Sequence, residues 1–159
     1  RRTGALAAAF GMKVLAHDLY QGDAPEWEGF EWVEIEDLFK RSDVVSLHCP
    51  LTADNGGFVD KALLEQMKPS SFLINTSRGP LINEKDLAEA LAAGIPAGAA
   101  VDVVSEEPIK ESNPLLKAKN CLITPHIAWA TLEARTRLMR TTVKNVAGFI
   151  KGEPVNVVN

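Results

Sequence analysis

Groups able to bind an anion or move a proton recur in this chain where apolar, strand-like runs stop. Arg78 follows the run Phe72–Thr76 in Ser77-Arg78-Gly79-Pro80, where the backbone must turn sharply. Asp102 sits inside the run Gly98–Val103, with Glu106-Glu107-Pro108 just beyond, and Pro125-His126 closes the run Cys121–Thr124. A guanidinium holds a carboxylate in a planar fork, an imidazole exchanges a proton near neutral pH, and a neighbouring carboxylate sets the charge of either. Each residue also has a plainer reading: Arg78 as a surface ion-pair partner, Glu107 as a loop acid, His126 as a structural cap after proline. Asp102 differs, because a carboxylate in an apolar strand costs free energy unless something satisfies it. The joint occurrence at successive strand ends carries the functional reading. Asp18, after the run Lys13–His17, is a further candidate. An acid at that place grips an adenosine ribose in doubly wound domains, and it is as often a turn residue.

These residues need elements to bring them together. Strands are expected at Lys13–His17, Asp43–Cys49, Phe72–Thr76, Gly98–Val103 and Cys121–Thr124, most of them continuous apolar runs that suit a parallel sheet covered on both faces. Helices are expected at about Glu34–Arg41, Asp60–Met67, Glu84–Ala93 and Ala130–Lys151, and Gln21–Trp32 reads as a surface loop. The helix Glu84–Ala93 is the best marked, with Asn83 as N-cap, acids in its first turn, and Gly94 and Pro96 as its stop. In the last helix Leu132, Met139, Val143, Val146 and Ile150 form a stripe expected to pack, opposite a solvated basic face. The alternation predicts an α/β fold with a doubly wound parallel sheet. Ligands bind at the carboxyl ends of the strands in such sheets, so Arg78, Glu107 and His126 are expected to meet despite their separation in sequence.

A chain of 159 residues, 46% hydrophobic and 24% charged, is expected to be one globular domain. A net charge of −4 gives no basic footprint for nucleic acid, and no apolar run approaches the about 18 residues that span a bilayer. Cys49 and Cys121 are too few for a disulfide framework and have no metal-ligand spacing, which points to a cytoplasmic setting and no metal. The chain opens at Arg1 in a helical pattern with no N-cap ahead of it, and no G-x-G-x-x-G is present. A preceding portion with the first strand and the glycine-rich loop is therefore expected. In the strand order 3-2-1-4-5-6 the strand ending at His17 and the strand ending at Thr76 would then have no common neighbour.

The series His48-Cys49-Pro50-Leu51-Thr52, Met67-Lys68-Pro69, Leu73-Ile74-Asn75-Thr76-Ser77-Arg78-Gly79, Ala99-Ala100-Val101-Asp102-Val103, Glu107-Pro108, Asn113-Pro114-Leu115 and Thr124-Pro125-His126-Ile127-Ala128 resembles the D-isomer-specific 2-hydroxyacid dehydrogenases. Within that family, Pro125 to Thr131, with Trp129, looks most like the glycerate dehydrogenases, also called hydroxypyruvate reductases. The resemblance implies a Rossmann dinucleotide-binding domain over residues 1–150, lacking its first strand, and a return segment over 151–159 toward a substrate domain. It implies NAD as cofactor, a small D-2-hydroxy or 2-keto acid as substrate, and a homodimer. Under it His126 is the general acid and base, Glu107 its charge partner, and Arg78 the clamp on the keto acid carboxylate. Asp102 accepts from the nicotinamide carboxamide; Thr76, Ser77, Cys49 and Pro50 line the cofactor; Asp18 favours NAD over NADP. Cys49 is equally well read as a small buried apolar residue. Two other readings remain open at this point: an NAD-sensing, corepressor-like binding module, and an inert fragment of the enzyme.

Overall fold

The computed structural model describes residues 1–158; the last residue of the expected return segment, Asn159, lies outside them. The chain divides into two compact units, Arg1–Pro125 and His126–Asn159.

The first unit opens with α1 (Arg2–Ala9), which has no side-chain cap, and β1 (Val14–Ala16). A second strand, β2 (Phe30–Trp32), pairs with β1 in parallel, Val14 opposite Phe30. This corrects the reading of Gln21–Trp32 as loop throughout. Its last three residues follow Gly29, which turns the chain at a left-handed φ of 78°, and Phe30 packs edge-on to both Trp27 and Trp32.

A separate four-stranded parallel sheet holds β3 (Val44–Leu47), β4 (Phe72–Asn75), β5 (Gly98–Val101) and β6 (Cys121–Ile123), in that order. Each strand is shorter than its apolar run, because the last residues of the run leave the ladder to form the turns at the carboxyl edge. The strand of the larger sheet with one paired neighbour at its β3 end is β3 itself; β4, the strand that runs into Thr76, lies between β3 and β5. The strand ending at His17 and the strand ending at Thr76 thus share no neighbour, as expected, although β4 itself is paired on both sides.

Burial alternates along β3 and β4, with Val45, Leu47, Leu73 and Asn75 buried and Val44 and Phe72 exposed. Within this chain, then, the sheet does not show the even, two-sided burial its apolar runs suggest. The buried face packs against α2 (Ile35–Arg41), α3 (Lys61–Leu64) and α4 (Glu84–Ala93), whose Phe39, Leu63, Leu64, Leu87 and Leu91 share one cluster with it. Helix α4 has the predicted bounds, with Asn83 Oδ1 accepting from Asp86 N and Gly94 left-handed at φ 83°. Helix α3 is shorter than predicted. Asp60 caps it, and after Leu64 the backbone closes three-residue turns into Met67 ahead of Pro69.

The second unit is built on α5 (Leu132–Ile150), capped by the Thr131 hydroxyl. Its tail folds back, with Glu153 N donating to Gly148 O and Asn156 Nδ2 to Asn145 Oδ1. None of its helical residues is buried, so the stripe expected to pack lies exposed, from Val146 at 54% to Ile150 at 77%.

Candidate active site

Parallel strands align their carboxyl ends, and in the larger sheet those ends are laced together sideways. At the end of β3, Cys49 O accepts from Ser77 Oγ of the β4 turn at 2.6 Å. Asp102 N, just past β5, donates to Asn75 O at 2.8 Å, and Thr124 N, just past β6, donates to Val101 O at 3.0 Å. The Thr124 hydroxyl also donates to Asp102 Oδ1. One edge therefore carries Cys49, Ser77, Asn75, Asp102 and Thr124 in a continuous line of hydrogen bonds, with Pro50, Thr76 and Arg78 next to them along the chain.

Asn75 builds the turn that presents Arg78. Fully buried, it accepts from Ser77 N at 3.0 Å and donates to Arg78 O at 2.9 Å, bending the backbone directly after the strand. Arg78 itself is exposed, and its Nη1 donates to Ser77 O at 2.8 Å. Gly79 follows because the chain passes so close to the next loop that a Cβ there would stand 1.9 Å from the Val104 carbonyl carbon. Asn75 was not singled out as functional by sequence, although a polar residue in an apolar strand marks it as it marks Asp102.

Asp102 is buried, and the Thr124 hydroxyl meets the requirement that such a carboxylate be satisfied. Glu107 lies on the exposed loop after β5, with Oε1 accepting from Val104 N at 3.3 Å. Val104 is thus in contact both with Gly79, beside Arg78, and with the carboxylate of Glu107. His126 opens the second unit and has a left-handed φ of 54°. Such a conformation is uncommon outside glycine and turns up at functional turns. Its carbonyl accepts from the Trp129 indole at 2.9 Å, and Ala130 N closes the same turn on Ile127 O. In this chain, then, Trp129 shapes the turn that carries His126.

Asp18 stands exposed just past β1, with Oδ1 accepting from Tyr20 N at 3.0 Å. Both sequence readings meet there, since the residue makes a turn at the place where a ribose acid is expected. Burial pushes the Cys49 thiol above its ordinary range, a backbone hydrogen bond opposes the rise, and the charge of Asp18 adds slightly to it. Such an edge suits a dinucleotide by its acceptors: an exposed acid for a ribose diol at one end, a buried acid for an amide N–H at the other. Among the described residues no cluster could hold a metal ion, and no helix is long and apolar enough to cross a membrane.

Residues 1–128 match the family described as D-isomer specific 2-hydroxyacid dehydrogenase, NAD binding domain. A hydroxypyruvate reductase of Blautia hydrogenotrophica is 54% identical over 99% of this chain and 49% of its own length. A glycerate dehydrogenase of Methylorubrum extorquens is 44% identical over 96% of this chain and 47% of its own length. Among solved structures, D-lactate dehydrogenase from Aquifex aeolicus, complexed with NAD and lactic acid, superposes with a TM-score of 0.87 at 31% identity. That superposition covers 96% of this chain and 50% of the other. An acyclic imino acid reductase in complex with NADPH and D-Arg superposes with a TM-score of 0.88 at 35% identity, over 98% of this chain and 49% of the other. The chain spans about half the length of the curated relatives it matches.

Proposed function

This chain belongs to the D-isomer specific 2-hydroxyacid dehydrogenase family, as its NAD-binding domain, and from that premise we propose that the whole protein is an oxidoreductase acting between NAD(H) and a small D-2-hydroxy or 2-keto acid, with glycerate and hydroxypyruvate as its pair. The observation that carries the reading is the laced carboxyl edge, which presents Arg78 from a turn preformed by Asn75 and sets Glu107 on the neighbouring loop. The substrate pair is supported by the relative named hydroxypyruvate reductase, 54% identical along nearly the whole chain.

NAD supplies the hydride acceptor or donor when bound. Asp18 holds the adenosine ribose through its hydroxyls and disfavours a 2′-phosphate by charge. Cys49, Pro50, Thr76 and Ser77 line the dinucleotide, and Asp102 accepts from the nicotinamide carboxamide, fixing which face meets the substrate. Arg78 takes the carboxylate of the keto acid in its planar fork and polarises the carbonyl beside it. His126 gives a proton to the carbonyl oxygen in reduction and takes it from the hydroxyl in oxidation. Glu107 holds the imidazole and favours its protonated form by charge.

The remainder of the whole protein supplies the glycine-rich loop and a substrate domain, with 1–150 as the dinucleotide-binding domain and 151–159 returning toward the other. The protein is proposed as a cytoplasmic homodimer. The free thiols of Cys49 and Cys121 support the first, and the exposed apolar stripe of α5 supports the second. The test is NADH consumption with hydroxypyruvate by the whole protein, expected to be steady and to fall by about a thousandfold or more in His126→Ala. Tight NADH binding without turnover would instead mark a sensing module.

A further inference from the structure

One carboxylate that the proposed reaction does not use is fully committed to the loop that carries Glu107. Glu84, the first residue of α4, accepts through Oε1 from Ser105 N at 2.7 Å and through Oε2 from Ser105 Oγ at 2.6 Å and Asn113 Nδ2 at 3.0 Å. Those partners lie 21 and 29 residues further along the chain, so the contacts are not local helix capping. Helix α4 is capped separately by Asn83, and Asn113 caps the following 3-10 turn through its other amide atom, accepting from Leu115 N at 2.9 Å.

The same stretch is held from a second direction. Gly79 leaves no room for a Cβ against Val104, with Val104 O at 2.0 Å and Ser105 N at 2.5 Å from the position such an atom would take. The Val104–Ser105 backbone is thus caught between the Gly79 backbone and the Glu84 carboxylate. Val104 N in turn donates to Glu107 Oε1. A line of contacts runs from the Arg78 turn, through Val104, to Glu107, and Glu84 holds its middle.

We propose that Glu84 is a positioning residue: its carboxylate clamps the Val104–Ser105 segment against the Arg78–Gly79 turn and so fixes Glu107 relative to Arg78. The proposal rests on the reading above that Arg78 and Glu107 both serve the reaction. Charge-assisted bonds of this length are the strong ones, and removing the carboxylate leaves Ser105 N–H and the Asn113 amide to find water in a half-buried place. The loop then moves. A displacement of about 1 Å at a catalytic group is enough to cost on the order of a hundredfold in rate.

The experiment measures kcat for NADH-dependent hydroxypyruvate reduction, and separately the Kd for NADH, in the whole protein. Glu84→Ala is expected to lower kcat by about tenfold or more and to leave NADH affinity unchanged, since none of its contacts reaches the cofactor-lining residues. Glu84→Gln keeps an acceptor for Ser105 N but faces Asn113 Nδ2 with a second donor. It is expected to retain kcat to within about threefold. The discriminating variant is Glu84→Ala combined with Glu107→Gln. If Glu84 acts through Glu107, the double variant is no slower than Glu107→Gln alone, whereas a merely structural role makes the two losses multiply.

Multiplying losses, or a normal kcat in Glu84→Ala with only the melting temperature lowered, would overturn the proposal. A slow Glu107→Gln beside a fast Glu84→Ala overturns this inference alone. A fully active Glu107→Gln removes the role of Glu107 and the inference with it. Should Glu84→Ala fail to fold, Glu84→Asp, which keeps the charge but shortens its reach to Ser105 and Asn113, carries the same comparison, and its loss is expected to vanish in the Glu107→Gln background.

Discussion

The two sheets of the first unit are made of similar residues and differ in what they bury. The four-stranded sheet sends Val45, Leu47, Leu73, Ala99 and Val101 into one cluster with α2, α3 and α4. The two-stranded sheet has Leu15 and Ala16 half-buried, and no residue up to Trp32 is buried; the first is Val33, just past β2. A two-stranded pair without a core is marginal, whereas four strands with a covered face are not. The candidate site draws on both. Arg78, Asp102 and Glu107 stand on the turns and loop that leave the packed sheet, where the proposed chemistry needs fixed geometry, and Asp18 stands just past the looser pair, where the proposed role is only to hold a ribose.

The contrast can be broken first by stability. Leu73→Ala empties a fully buried place in the middle of β4 and is expected to cost about 4 kcal/mol in urea unfolding of the whole protein. A loss near 1 kcal/mol would mean the larger sheet is no better packed than the smaller. Gly79→Ala puts an atom into the Val104 backbone and is expected to cost about 3 kcal/mol, with hydroxypyruvate turnover lost as well. Wild-type turnover in that variant would show the close approach of the two turns to be dispensable. Leu15→Ala, in the half-buried β1, is expected to cost only about 1 kcal/mol by the same unfolding measurement.

The smallest effect reports on the distance between the sheets. Burial raises the pKa of both thiols, so Cys49 and Cys121 should be alkylated more slowly than a free thiol at neutral pH. Only Cys49 also feels Asp18, whose negative charge opposes the thiolate. Asp18→Asn therefore lowers the Cys49 pKa and should speed its alkylation about twofold, read by mass spectrometry, with Cys121 as the unmoved control. Equal rates at Cys49 before and after the substitution would separate the two carboxyl edges.

What could be read from sequence follows the same division. Strong local signals located the four strands of the larger sheet and gave α4 its bounds, because Asn83 and Gly94 act within one turn of the helix. Strand β2 was hidden because three residues after a turn glycine, in a stretch rich in acids that also holds Pro25, carry no periodicity to detect. The edge residues were legible one by one, since Asp102 and Arg78 break apolar runs. Their lacing was not, because Ser77 reaches Cys49 across 28 residues and Glu84 reaches Asn113 across 29. The stripe of α5 has the pattern of a packed face and lies exposed, because periodicity records that a face is apolar and not what covers it.

The most direct test of the account is kcat/KM for hydroxypyruvate in Arg78→Leu of the whole protein, set beside the NADH dissociation constant of the same variant. If the laced edge holds the keto acid through that guanidinium, kcat/KM falls by about a hundredfold or more while NADH affinity stays as in the wild type. An unchanged kcat/KM would contradict the account, because the carboxylate would then be held somewhere else.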